Sequence, residues 1–496
     1  MNIKQAKEQI RNTLRAYLSR DALGNYRIPA VRQRPVLLMG PPGIGKTQIM
    51  EQIAAEENVG LVSYTITHHT RQSAVGLPFI EKRVYDGAEH TVTEYTMSEI
   101  LGSVYALTEK TGIREGILFL DEINCVSETL APMMLQFLQC KTFGNQKLPE
   151  GWLIVAAGNP PEYNRSVRDF DVVTLDRVKR INVEEDFAVW KDYALRKGLH
   201  GAVISYLDLK KENFYRIENS ADGMQFATAR GWEDLSEILY AYEAEGIAPD
   251  LELAVQYIQM PSIARDFTNY YALYNKYRQV YHIDDILHGN TPKVTLTEFA
   301  AAPFDEKLAV MGLLLSRLSE AARNTRRQDA LCTALYDGLC AVKARLPEAP
   351  ADVLREIIAT RRATLKRSAD AGQDDKEQKY LRQAEINRLE TYLKALDETQ
   401  DPDCQFDTVR ALFSADTEKR EALADETGTM FDSAFRFLET AVGPSQELVL
   451  FVTEITAGYD SSWFVSEFGC DAYFRNNRDL LFDETRQNLL DRLGRA

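Results

Sequence analysis

The stretch Pro35–Ile49, PVLLMGPPGIGKTQI, decides how this chain is read. Val36 to Met39 form a short apolar run with the length and flanks of a buried strand. Directly after it, GPPGIGKT (Gly40–Thr47) satisfies the pattern G-x-x-x-x-G-K-[ST] at every required position. Glycines at 40, 43 and 45 let the backbone turn tightly, so that successive N–H groups converge on phosphate oxygens. Lys46 would set its ammonium against the β- and γ-phosphates, and the Thr47 hydroxyl is suited to ligate Mg²⁺. A helix starting near Lys46 adds its positive N-terminal end to the same pocket. Phosphate contacts are therefore expected from Gly40, Pro41, Pro42, Gly43, Ile44, Gly45, Lys46, Thr47 and Gln48. The spacing predicts a nucleoside triphosphate site.

The phosphate-loop helix should run to about Glu57, and Leu61 to Ile66 reads as a second strand. His68 and His69 follow it, but adjacent histidines lack the i, i+4 spacing that puts two metal ligands on one helix face. Phe79–Tyr85 and Thr91–Tyr95 are β-rich and flank the turn dipeptide Asp86-Gly87, which predicts a hairpin between helical pieces at 69–75 and 97–110. That hairpin is either surface decoration or a protrusion that touches a substrate or partner.

GILFLDEIN, Gly116 to Asn124, is a second continuous apolar run, closing on Asp121-Glu122. A fully buried parallel strand delivers its C-terminal residues to the top of the sheet. Asp121 is placed to hold Mg²⁺ through water, and Glu122 to orient or deprotonate the attacking water. LIVAAGNPP, Leu153 to Pro161, repeats the arrangement and ends at Asn159. That amide either bonds a γ-phosphate and helps place water, or caps the loop before Pro160 and Pro161. In LDRVKR, Leu175 to Arg180, two arginines three apart on a short helix end are either a solvated face or include an arginine finger at a subunit boundary.

This order of motifs resembles the AAA+ ATPases, and more narrowly their MoxR-type branch, which is often encoded beside von Willebrand factor A domain proteins. The resemblance runs from about residue 30 to 245 and rests on GPPGIGKT, VGLP (Val75–Pro78), LFLDEIN (Leu118–Asn124), AAGNPP (Ala156–Pro161) and LDRV (Leu175–Val178). It implies a P-loop α/β fold, a parallel sheet with flanking helices, then a helical lid and an all-α C-terminal region. It also implies ATP with Mg²⁺, Asn159 as the first sensor, and Arg177 as a finger acting on a neighbour's ATP, with Arg180 less favoured. Arg230, in ATARGWEDLSEIL (Ala227–Leu239), would be the second sensor, although Thr228-Ala229-Arg230 stands where the branch more often has Ser-Pro-Arg. The 76–95 hairpin would be the insert in helix two that marks the branch.

The expected organisation is an N-terminal helix in 1–28, a nucleotide-binding core over 29–184, a lid over 185–290, a helical hairpin region over 291–400 and a helical end-piece over 401–496. In 1–28, Ile3, Ala6, Ile10, Leu14, Tyr17 and Leu18 recur at helical spacing. Leu308, Met311, Leu315, Leu318 and Ala322 keep 3-4 spacing, as do Leu331, Leu335, Leu339, Val342 and Leu346. Pro347 and Pro350 separate these from a helix near 351–368, and ADAGQDDKEQK, Ala369 to Lys379, reads as linker or solvated loop. Ile386, Leu389, Leu393 and Leu396 suggest a further helix. The aromatic tail, Phe431 to Phe482, is broken at Gly443-Pro444 and again at Gly458 to Ser462.

Composition narrows the functional classes. A formal charge of −16 over 496 residues argues against general attraction to nucleic acid or anionic membrane. Six cysteines without a C-x-x-C pair suit reduced thiols in a cytoplasmic protein, and no run approaches the ~20 apolar residues of a membrane span. The leading expectation is an ATP-hydrolysing remodelling ring, a hexamer, acting on a von Willebrand factor A domain client. The alternatives are a nucleic-acid motor or loader, and a nucleotide-gated scaffold with little turnover.

Overall fold

The computed structural model describes residues 1–68, 74, 76–143, 146–163, 170–220, 223–346, 348–371, 376–396 and 401–477. His69, Val75, Pro347 and Phe482, and the expected helical piece at 69–75 apart from Ala74, lie outside the described residues. The chain divides into two compact units, one of Met1–Asp186 with Ala359–Gln383 and one of Phe187–Ile358 with Ala384–Ala496.

The first unit is built on five parallel strands: β1 (Val36–Met39), β2 (Gly60–Thr65), β5 (Gly116–Asp121), β8 (Trp152–Gly158) and β9 (Lys179–Asn182). They lie in the order β2-β5-β8-β1-β9, with Val36 opposite both Val155 and Lys179. The pleat sorts their side chains between two cores. Val36, Leu38, Ile117, Phe119, Val155 and Ala157 pack with Ala6, Ile10 and Leu14 of helix Ile3–Leu18 and with Ile49, Met50 and Ile53 of helix Lys46–Glu57. Leu37, Leu118, Leu120, Ile154 and Ala156 face the other way, onto helices Glu99–Thr111 and Ala131–Cys140. Both faces are covered, which is why these strands read as unbroken apolar runs. The N-terminal helix is thus a layer of this sandwich; its start is fixed by Asn2, whose side chain accepts from the Gln5 N–H at 3.0 Å, a cap worth about 1 kcal/mol.

Among the described residues, three two-stranded antiparallel pairs complete the strands. β3 (Pro78–Tyr85) and β4 (Ala88–Tyr95) pair around Asp86 and Gly87, whose φ values of 54° and 81° are what this tight turn needs. β6 (Thr142–Phe143) pairs with β7 (Gln146–Lys147), and in the second unit β10 (Arg216–Ser220) pairs with β11 (Gly223–Ala227). The last pair sits within the span expected to be wholly helical, with Ile217 across from Phe226.

Otherwise the second unit is helical. The two leucine stripes, apart from Leu346 just past its end, belong to one 41-residue helix, Phe304–Ala344, which packs on the 40-residue helix Pro402–Ala441. Helices Gln446–Ala457 and Tyr459–Phe468 meet at Gly458 alone, so Asp460 to Ser462, expected in a break, are helical. Asp460 is drawn in by two arginines, Arg323 and Arg326, whose Nε atoms donate to it at 2.9 and 2.7 Å. Tyr206, Trp232 and Phe267 stack edge to face in the same core. Among the described residues no helix is long and apolar enough to cross a membrane.

Candidate functional site

The loop between β1 and its helix turns through Gly43 and Gly45, with φ of 75° and 89°, values closed to most other residues. Gly45 caps the helix that begins at Lys46. The Lys46 side chain is buried, and its Nζ donates to the carbonyls of Gly40 and Pro41 and to Asn159 Oδ1, each at 2.8 Å. The ammonium is therefore gripped by acceptors from β1's end and β8's end together. Incoming phosphate oxygens have to exchange with at least one of these, since an ammonium has three hydrogens to give.

One residue on, Thr47 Oγ1 donates to Asp121 Oδ2 at 3.3 Å, joining the helix start to the end of β5. Asp121 Oδ1 accepts the Glu122 N–H at 2.9 Å. Glu122 stands at φ 56°, a left-handed backbone that glutamate rarely takes. Its Oε2 accepts from Thr67 Oγ1 at 2.7 Å, just past β2. Thr67 carries no motif and went unnoticed in the sequence; only the adjacency of β2 and β5 brings it here. Cys125 is half-buried nearby, and burial, then the charges of Glu122 and Asp121, push its thiol up, away from nucleophilic thiolate chemistry.

Thr47 and Asp121 offer one hydroxyl and one carboxylate, hard oxygen donors that fit Mg²⁺ held mainly by phosphate and water. Among the described residues no cluster of three or more His, Cys, Asp and Glu side chains forms a protein-only metal cage.

The two arginines of LDRVKR part company. Arg177 lies in the turn after the short helix Val172–Leu175, exposed, with its Nη1 donating to Gln139 at the end of helix Ala131–Cys140. Arg180 is not on a helix end: it is in β9, opposite Leu37, because Ile181 and Val183 anchor that strand in the core, and its Nε donates to Asn182 at 2.8 Å. Arg230 belongs to the second unit, exposed on the first turn of helix Ala229–Glu245, whose start Thr228 caps by accepting from the Gly231 N–H. The structure thus gathers Lys46, Thr47, Asp121, Glu122 and Asn159 at the C-terminal edge of one sheet, with Arg177 on the surface of the same unit.

Away from this edge, the second unit holds a cleft of about 1300 Å³. Part of its charged lining is internally paired, Lys191 with Asp208 and Glu454, and Arg317 with Asp284. His200 there accepts the Ala202 N–H at Nδ1, which leaves Nε2–H to face Glu243 at 3.1 Å. That bond lowers the Glu243 carboxyl to about 2.

A five-stranded parallel sheet of this order, with the loop, lysine and acidic strand end at one edge, is the AAA+ P-loop fold. Residues 35–178 match the family model of the AAA domain (dynein-related subfamily). The match covers four of the five strands of this sheet, from just before β1 to the turn carrying Arg177, and ends before β9. No curated protein matches the chain.

Proposed function

We propose that this chain is an ATP-hydrolysing remodelling machine of MoxR type, working as a ring with sites between subunits. The observation that carries the reading is the convergence of Lys46, Thr47, Asp121, Glu122 and Asn159 on one sheet edge. A pure binding switch has no need of a water-orienting carboxylate held in a strained backbone, as Glu122 is.

In this reading the amides of Gly40 to Thr47 and the Lys46 ammonium bind the β- and γ-phosphates. Mg²⁺ held by Thr47 and Asp121 supplies charge neutralisation across those phosphates when bound. Glu122 orients the attacking water and takes its proton, while Asn159 fixes the water or the γ-phosphate. Arg177 acts on a neighbouring subunit's ATP, and Arg230 serves as the second sensor. Support for the subunit contact comes from Val172 and Val173, 81% and 57% exposed on the short helix just before Arg177, an apolar knuckle that water does not favour.

The β3–β4 hairpin is the element proposed to touch a client, with Ile80 and Val84 76% and 69% exposed. Its root is held firmly: Gln146 accepts the Ser98 N–H at 2.9 Å and donates to the carbonyls of Tyr95 and Thr96. A von Willebrand factor A domain protein is the proposed client class. The test is Glu122→Gln with ATP: the protein should retain ATP in a larger assembly by sedimentation and release no phosphate. Turnover at the wild-type rate removes Glu122 from the chemistry.

A further inference from the structure

Asn124 closes the run Gly116–Asn124 and is 2% exposed. Its Nδ2 donates to the main-chain carbonyl of Asn159 at 2.8 Å. Its Oδ1 is buried with no hydrogen-bond partner among the described residues, resting on Gly158, where an added Cβ would come within 2.5 Å of it. The backbone beside it is laid along β8, since the Ile123 N–H donates to the Ala157 carbonyl at 2.9 Å. An apolar side chain here would remove the unpaired Oδ1 but also take the donor from the Asn159 carbonyl, so packing alone gives no reason for an amide. What the amide supplies is its donor, and the donor is spent on one carbonyl.

That carbonyl belongs to the residue whose side chain meets Lys46. On its other side Asn159 is followed by Pro160, which restricts its backbone to extended conformations. Asn159 is thereby held from both directions, by a ring after it and an amide beneath it. We propose that Asn124 is a positioning residue that fixes Asn159 against Lys46 and the γ-phosphate site, coupling the end of β5 to the end of β8; this rests on the role of Asn159 proposed above. Asn124 is buried and acts on the site through the Asn159 carbonyl, so its loss costs turnover and spares nucleotide affinity.

The experiment measures ATP affinity and steady-state phosphate release on the full chain, with melting to confirm folding. Asn124→Asp keeps the volume and removes the donor; Asn124→Ser serves where that variant does not fold. The expected result is a fall in kcat of about tenfold with ATP affinity within about threefold of the parent, a split that marks an interaction made in the transition state. On an Asn159→Ala background the same substitution should change kcat by less than about twofold, as for two residues acting through one contact. Gly158→Ala, which removes no polar group, should reproduce the loss by displacing the Asn124 amide. Parental kcat in both Asn124 variants overturns the proposal, and so does an equal loss on the Asn159→Ala background. If Asn159→Ala alone hydrolyses ATP at the parental rate, the role of Asn159 fails first and takes this proposal with it.

Discussion

Glu122 offers a way to separate function from stability at one residue. Its φ of 56° puts a glutamate in the left-handed region, which costs an ordinary L-residue roughly 1–2 kcal/mol, whereas asparagine is several-fold enriched there. Glu122→Asn should recover about 0.5–1 kcal/mol of that strain. Against this stands the loss of the 2.7 Å bond from Thr67, on the exposed side of the strand end, where a polar contact nets about 0.5–1 kcal/mol. The two nearly cancel. The melting transition of the nucleotide-binding unit, recognised because ADP raises it, should stay within about 4 °C of the parent, the shift expected of ~1 kcal/mol in a unit of this size. Turnover should meanwhile fall by roughly 10²- to 10⁴-fold, the usual worth of a positioned general base. Melting followed with and without ADP, beside phosphate release at saturating ATP, reads both quantities. A large drop in melting temperature with turnover kept within tenfold would refute the reasoning, because it would make Glu122 a structural residue.

Other substitutions probe separate parts of the account. Lys46→Ala should weaken ATP binding by at least about 100-fold, close to 3 kcal/mol, measured by titration calorimetry; undiminished affinity contradicts the phosphate-loop role. Arg177→Ala should keep ATP and lose hydrolysis, and mixing it with Lys46→Ala subunits should restore phosphate release if the finger acts in trans; no recovery favours Arg180 or a site in cis. Gln146→Ala removes three bonds at the root of the β3–β4 hairpin, so limited proteolysis should cut near Tyr95–Ser98 faster than in the parent, and equal rates would count against Gln146 as the clamp. The His200–Glu243 bond gives the second unit an acid dependence: a carboxyl lowered to about 2 contributes stability present above its ordinary value of 4.5 and lost as pH falls from there toward 2. Glu243→Gln should flatten that part of the stability–pH curve, and an unchanged slope removes the bond as its cause.

The sheet and its phosphate loop were legible because their signals are local. Two fully covered faces force continuous apolar strands such as Val36–Met39 and Ile117–Leu120, and the glycines at 43 and 45 announce a backbone only they adopt readily. Thr67 and Asn124 were not legible in role, since each meets its partner only through strand adjacency, β2 beside β5 and β5 beside β8. Arg180 was placed on a helix end because its two-residue alternation with Ile181 and Val183 is too short to outweigh the preceding helical turn. In the second unit, β10 and β11 are each five residues with one apolar cross-strand pair, Ile217 with Phe226, too faint a pattern to stand out among long amphipathic helices. The break expected at Gly458 to Ser462 failed for a different reason. Asp460 and Ser461 look like loop residues but are buried, the aspartate by Arg323 and Arg326 and the serine by the carbonyls of Ile455 and Gly458.

Phosphate release by the purified chain with ATP and Mg²⁺, run beside Lys46→Ala, tests the central claim most directly. Steady release from the parent that disappears in the variant is the predicted result. No release from the parent above the Lys46→Ala background, across protein concentrations that allow assembly, contradicts it.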